Sequence, residues 1–118
     1  HGKMWTADPA DFGAAAAVEK AGLGEYVTVC QESFDTMLPR VPKPVDLAYI
    51  DASDPADPMM RLRHLSAVFD VLAPNGFVVI DDVRARSQDW PGAAFLQQAA
   101  ALYLDGARGV SIYQRRYW

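Results

Sequence analysis

Val45-Asp46-Leu47-Ala48-Tyr49-Ile50-Asp51-Ala52-Ser53 is followed some thirty residues later by Phe77-Val78-Val79-Ile80-Asp81-Asp82-Val83. Each is a short apolar run rich in β-branched residues, and each ends in aspartate. Between them Met59, Leu62, Leu65, Val68, Phe69 and Leu72 recur at steps of three and four, the period of an amphipathic helix. Two such runs joined by a helix predict parallel strands with a crossover connection. In open α/β sheets ligands bind at the carboxyl ends of the strands. Asp51, Asp81 and Asp82 fall there, and two strands ending alike point to chemistry more than to solvated loop acids.

The same pattern extends outward. Lys3 to Ala7 and Tyr26 to Cys30 read as strands, with an alanine-rich helix from Ala10 to Lys20 between them. Asp8 is expected as its cap and Pro9 at its first position, with Ala21-Gly22 as its stop. Ser33 to Leu38 predicts a short helix closed off by Pro39, Pro42 and Pro44. Asp54 or Asp57 is expected to cap the helix over Met59 to Leu72. Pro74-Asn75-Gly76 predicts a turn before the strand Phe77 to Ile80. A helix over Gly92 to Leu102 and a last strand, Gly109 to Gln114, complete the chain; alternatively Ala101 to Leu104 is a strand and Asp105-Gly106 a hairpin turn. Alternating strands and helices predict an α/β fold with a mostly parallel sheet and helices on both faces.

Composition bounds the function. The 118 residues suffice for one domain, with 51% hydrophobic and 22% charged residues placing it among globular chains. A net charge of −4 speaks against non-specific nucleic-acid binding, which needs a basic surface. No apolar run reaches the roughly 18 residues of a membrane span, and no signal peptide is evident, so a cytoplasmic protein is expected. The single cysteine, Cys30, cannot form an internal disulfide and is expected in the core. His64 is expected on the surface. Trp90-Pro91 borders the loop after Asp82, where a substrate lid would sit. No Ser-His-Asp order, Cys-His pair, zinc spacing or P-loop is found.

"Val-Asp-Leu-Ala-Tyr-Ile-Asp-Ala" followed by "Val-Leu-Ala-Pro-Asn-Gly-Phe-Val-Val-Ile-Asp-Asp-Val" resembles the class I S-adenosylmethionine-dependent methyltransferases. The closer likeness is to the small-molecule O-methyltransferases of the catechol and caffeoyl-CoA type. Ala21-Gly22-Leu23-Gly24-Glu25-Tyr26-Val27-Thr28-Val29, Gln31-Glu32-Ser33-Phe34 and Gly109-Val110-Ser111-Ile112-Tyr113 extend it over nearly the whole chain.

The resemblance implies a Rossmann-like sheet whose C-terminal strand is antiparallel, in one partial domain over residues 1–118. It implies S-adenosylmethionine as cofactor and methyl transfer to an oxygen of a small molecule. Asp8 would take the cofactor ribose hydroxyls, which a carboxylate can accept together. Glu32, Ser33 and Phe34 would line the adenine pocket. Asp51 would stand beside the methionine moiety and the acceptor, as a cofactor-binding and catalytic residue. Asp51, Asp81 and Asp82 match the positions that hold a divalent metal in the metal-dependent members, and hard oxygen ligands suit Mg²⁺.

The chain departs from the family pattern in three places. The glycine-rich turn after the family's first strand is missing, so the chain is expected to be N-terminally truncated. The lysine that usually follows the first metal aspartate by three residues is replaced by Asp54. Asp82 stands where Asn is frequent. Two other classes compete with the enzyme reading. One is an inactive remnant that self-associates, as a homodimer, or binds a partner. The other is a receiver-like or flavodoxin-like domain, for which the lysine after a late strand is lacking.

Overall fold

The computed structural model describes residues 2–51, 56, 57, 59–81, 99–104 and 110–115. These fall into two compact units, His1–Val41 and Pro42–Trp118, and each is treated by itself.

In the first unit, strands β1 (Met4–Ala7) and β2 (Val27–Cys30) pair in parallel, with Met4 opposite Val27 and Ala7 opposite Cys30. The Asp8 N–H donates to the Cys30 carbonyl at 3.1 Å, which carries the ladder one step past β1. Helix α1 (Ala14–Lys20) starts later than the sequence suggested. Asp8 is not its cap. The Asp8 Oδ1 accepts from the Ala10 N–H at 2.8 Å, and the Asp11 Oδ1 accepts from the Gly13 N–H at 2.8 Å. Each aspartate thus closes a local turn on its own backbone, which competes with helix formation. Gly13 enters the helix left-handed, at φ 79°.

The expected stop is in place. Gly22 takes φ 68°, its N–H reaches the Glu19 carbonyl and the Leu23 N–H reaches the Val18 carbonyl, both at 3.0 Å. Those two bonds close the helix as a Schellman motif, with glycine in the left-handed position that a side chain would strain. Helix α2 (Phe34–Met37) and a 3₁₀ turn (Leu38–Arg40) follow β2, and Met37 and Leu38 are the buried residues of this unit.

In the second unit, four strands lie in the order β3 (Val45–Ile50), β4 (Leu72–Asp81), β6 (Val110–Arg115) and β5 (Ala99–Leu104). Strands β3 and β4 are parallel, whereas β6 runs antiparallel to both β4 and β5. The strand over Ala99–Leu104 overturns the expected helix over Gly92 to Leu102 where the two overlap. Alanine-rich sequence favours helix only by propensity, and ladder pairing with β6 overrides it. The strand alternative for Ala101 to Leu104 is the one observed. Residues 92–98 and the Asp105-Gly106 turn lie outside the described residues.

Alternation along the strands sorts their side chains. Ile50, Val78, Ile80 and Tyr113 are buried on one face, where helix α3 (Met60–Val71) contributes Leu65 and Val68. Leu47, Tyr49 and Phe77 are exposed on the other. His64, expected at the surface, is only 3% exposed. It precedes Leu65 and stands one helical turn before Val68, so it shares the inward stripe.

The turn Pro74-Asn75-Gly76 forms inside β4. Val45 faces Leu72 but Leu47 faces Phe77, so the extra residues loop out of the ladder. Asn75 is left-handed at φ 62°, and side chains of β6 hold the loop. Gln114 Nε2 donates to the Asn75 carbonyl at 3.3 Å, and the Arg115 guanidinium donates to the Leu72 carbonyl. A Cβ at Gly76 would stand 2.9 Å from Leu72 Cγ, 3.0 Å from the Ala73 carbonyl oxygen and 3.1 Å from that of Asp46. Two of those neighbours are backbone and cannot rotate away. Gly76→Ala is therefore expected to destabilise the protein by about 1–3 kcal/mol, read as a lower urea midpoint with an unchanged slope.

Helix α3 lacks the expected aspartate cap; its N-terminal residue Met59 has no side-chain cap bond. Asp54 lies outside the described residues. Asp57 instead pairs with Arg63 through two bonds, at 3.1 and 2.5 Å. The Arg63 guanidinium holds the Asp57 carboxyl below its ordinary value of 3.8. A depressed folded-state value makes the pair stabilising above the unfolded value, and that contribution fades as pH falls below it. Asp57→Asn is expected to lower the urea midpoint slightly at neutral pH, where the pair is solvated, and not at all in strong acid. A difference that persists in acid would mean that the ion pair is not its source.

Candidate functional site

Both units place carboxylates at the carboxyl ends of parallel strands. This follows from the fold, because a parallel pair brings both carboxyl ends to one edge. In the first unit, the pairing of Ala7 with Cys30 sets Asp8 beside the segment Gln31 to Phe34. Asp8 is exposed, and one oxygen serves the Ala10 turn. An ionised carboxylate has about four acceptor sites, so it keeps capacity for a pair of hydroxyls.

Glu32 is half-buried and pairs with the Arg40 guanidinium. That group also lies 3.8 Å from the Cys30 Sγ; Cys30 is half-buried, not a core residue. Ser33 caps α2, accepting from the Thr36 N–H at 3.3 Å and sharing a hydrogen bond with the Thr36 hydroxyl at 2.9 Å. Its hydroxyl is thus engaged in holding the start of α2. Phe34 is half-buried at the first turn of α2. The predicted adenine-side residues are thus neighbours on one loop and helix start.

In the second unit, Ile50 pairs with Ile80. Asp51 and Asp81 are the next residues, at the same sheet edge. Asp51 is exposed. Asp81 is half-buried at the end of β4, where it pairs with Val110 of β6. Its Oδ2 accepts a hydrogen bond from the Tyr49 hydroxyl. Asp82 and Trp90 lie outside the described residues.

Sequence reasoning missed two partners, Tyr49 and Arg40. A period-two signal for the first was present. Residues 49 and 51 share one face of β3, residues 79 and 81 share one face of β4, and aligning the two strand-ending aspartates gives the register. Nothing in the sequence marks Arg40, which reaches Glu32 only because the 3₁₀ turn folds back.

Of the three residues that the resemblance implies as Mg²⁺ ligands, Asp51 and Asp81 are described and Asp82 is not. Among the described residues no three His, Cys, Asp or Glu side chains gather as a metal site, and Asp81 gives an oxygen to a phenol. An open groove of about 420 Å³ lies between α1 and β2, lined by Ala15, Val18, Val27 and Val29 among others. It contains none of the predicted site residues. Among the described residues no helix is long and apolar enough to cross a membrane.

A family model described as a methyltransferase domain matches residues 2–83. No curated protein matches the chain. Among solved structures, a methyltransferase from Geobacter sulfurreducens is 14% identical, with a TM-score of 0.70 over 98% of this chain and 59% of that one. An rRNA methylase from Streptococcus thermophilus is 12% identical, with a TM-score of 0.76 over 98% of this chain and 74% of that one. The O-methyltransferase TomG from Streptomyces achromogenes, solved in complex with SAM, is 17% identical, with a TM-score of 0.71 over 98% and 63%. The chain therefore spans between about three fifths and three quarters of these structures' lengths. At such identities the likeness is one of fold, and it is the Rossmann-like α/β arrangement with an antiparallel C-terminal strand that the sequence led us to expect.

Proposed function

The chain belongs to the methyltransferase-domain family, and from that premise we propose that it carries S-adenosylmethionine-dependent methyl transfer to an oxygen of a small molecule. The observation that carries the reading is that each unit sets acids at the carboxyl ends of its parallel strands, Asp8 and Glu32 in the first and Asp51 and Asp81 in the second. The donor supplies a methyl group on a positively charged sulfur, so the reaction is an in-line displacement that depends on positioning.

The residues divide the task by their chemistry. Asp8 accepts hydrogen bonds from the two ribose hydroxyls. Glu32, Ser33 and Phe34 contact the adenine, with Phe34 offering apolar surface and the loop held by the Glu32–Arg40 pair and the Ser33 cap. Asp51, exposed at the end of β3, accepts the hydrogen bond of the acceptor hydroxyl and takes its proton as the oxygen attacks the methyl carbon. The likeness to TomG, an O-methyltransferase, supports oxygen as the target.

Incubation of the chain with S-adenosylmethionine and a mixed set of small phenols, alcohols, amines and thiols tests this reading. Mass spectrometry is expected to find O-methylated products together with S-adenosylhomocysteine. Methylation confined to nitrogen or sulfur would overturn the choice of oxygen.

A further inference from the structure

The hydrogen bond between Tyr49 and Asp81 bears on what Asp81 does. Tyr49 lies on β3 opposite Val79. Its ring is 58% exposed, yet its hydroxyl runs along the sheet to the carboxylate that ends β4. A phenol donating to a carboxylate forms a charge-assisted bond, among the stronger in proteins. It fixes the carboxylate's orientation and engages the electron pair that a divalent cation would use.

We propose that Tyr49 is a positioning residue that commits Asp81 to hydrogen bonding and withholds it from metal coordination. The inference rests on the methyl-transfer reading, in which the acids at this sheet edge face donor and acceptor. It separates the chain from an arrangement in which Asp51, Asp81 and Asp82 share an ion. Asp81 then contributes a held, negatively charged acceptor beside Asp51.

The test uses Mn²⁺ alone as the probe, titrated by electron paramagnetic resonance into the parent chain, Tyr49→Phe, Asp81→Asn and the double variant. S-adenosylhomocysteine is titrated separately into each by calorimetry. Tyr49→Phe removes one exposed hydroxyl and keeps the ring, and circular dichroism checks that each variant is folded. The parent and Asp81→Asn are expected to bind Mn²⁺ equally weakly. Tyr49→Phe is expected to bind it about tenfold more tightly, because a hydrogen bond to a charged group no longer competes. The double variant is expected to lose that gain, which a merely structural role for Tyr49 would not produce. Tight Mn²⁺ binding by the parent that Asp81→Asn abolishes would overturn the inference. So would a Tyr49→Phe variant with unchanged Mn²⁺ affinity. Failure of the parent to bind S-adenosylhomocysteine would count against the methyl-transfer reading, while the Mn²⁺ series still decides between the two roles of Asp81.

Discussion

Asp8→Ala is expected to weaken binding of S-adenosylhomocysteine by about a hundredfold, which is about 2.7 kcal/mol. The size follows from the proposed contact. A carboxylate that accepts both ribose hydroxyls makes two charge-assisted bonds, each worth about 1.5–3 kcal/mol before solvation of the exposed group offsets part of it. Asp8 also closes the turn to Ala10, so alanine removes a local bond along with the ligand contact. Asp8→Asn separates the two effects, because asparagine makes the same turn through its side-chain oxygen. Asn is therefore expected to keep the parent's urea midpoint and still lose most of the affinity. Calorimetric titration of the parent and both variants decides it. Unchanged affinity in both would remove Asp8 from the site.

Leu65→Ala is expected to cost about 2–5 kcal/mol of stability in the second unit. Leu65 has no exposed surface, and Val68, Val78 and Ile80 are equally enclosed. These residues form the contact between α3 and one face of the β3–β4 sheet, and truncation leaves a cavity that surrounding β-branched side chains cannot collapse to fill. Leu62→Ala is the internal comparison. Leu62 is half-buried on the same helix, so its truncation removes less contact and is expected to cost clearly less. The two midpoints in urea, followed by circular dichroism, give the difference. Equal costs would mean that the inward stripe of α3 is misplaced.

What could be read in the sequence was what local chemistry controls. Val45 to Ile50 was legible as a strand to the residue, because a mostly apolar, β-prone run begins just after the prolines and ends at Asp51. Gly22 was legible as a helix stop because a left-handed position after a helix favours glycine. Ser33 was legible at the start of α2 because its hydroxyl can cap the helix. The start of α1 was not, since Asp8-Pro9 is a sound helix start by rule and only the competing turns at Asp8 and Asp11 delay it. His64 was misplaced for a related reason: a polar residue beside the apolar stripe says little about which way its face turns.

The end of the chain shows the other limit. Ala99 to Leu104 has helical composition, and its strand exists because β6 offers a ladder, a pairing that depends on residues distant in sequence. At the candidate site, the aspartates were legible because strands end in them. Tyr49, the partner of Asp81, is within reach of the sequence once the two strand-ending aspartates are aligned, whereas Arg40, the partner of Glu32, is not, because its bond depends on a fold-back that only the structure supplies.

The central claim is that the acid-bearing strand ends bind a methyl donor, and calorimetric titration of S-adenosylhomocysteine into the unsubstituted chain tests it most directly. The account predicts a saturable signal with one site per chain, which Asp8→Ala weakens and Tyr49→Phe leaves in place. Heats no larger than dilution, from a chain shown to be folded under the same conditions, would contradict it.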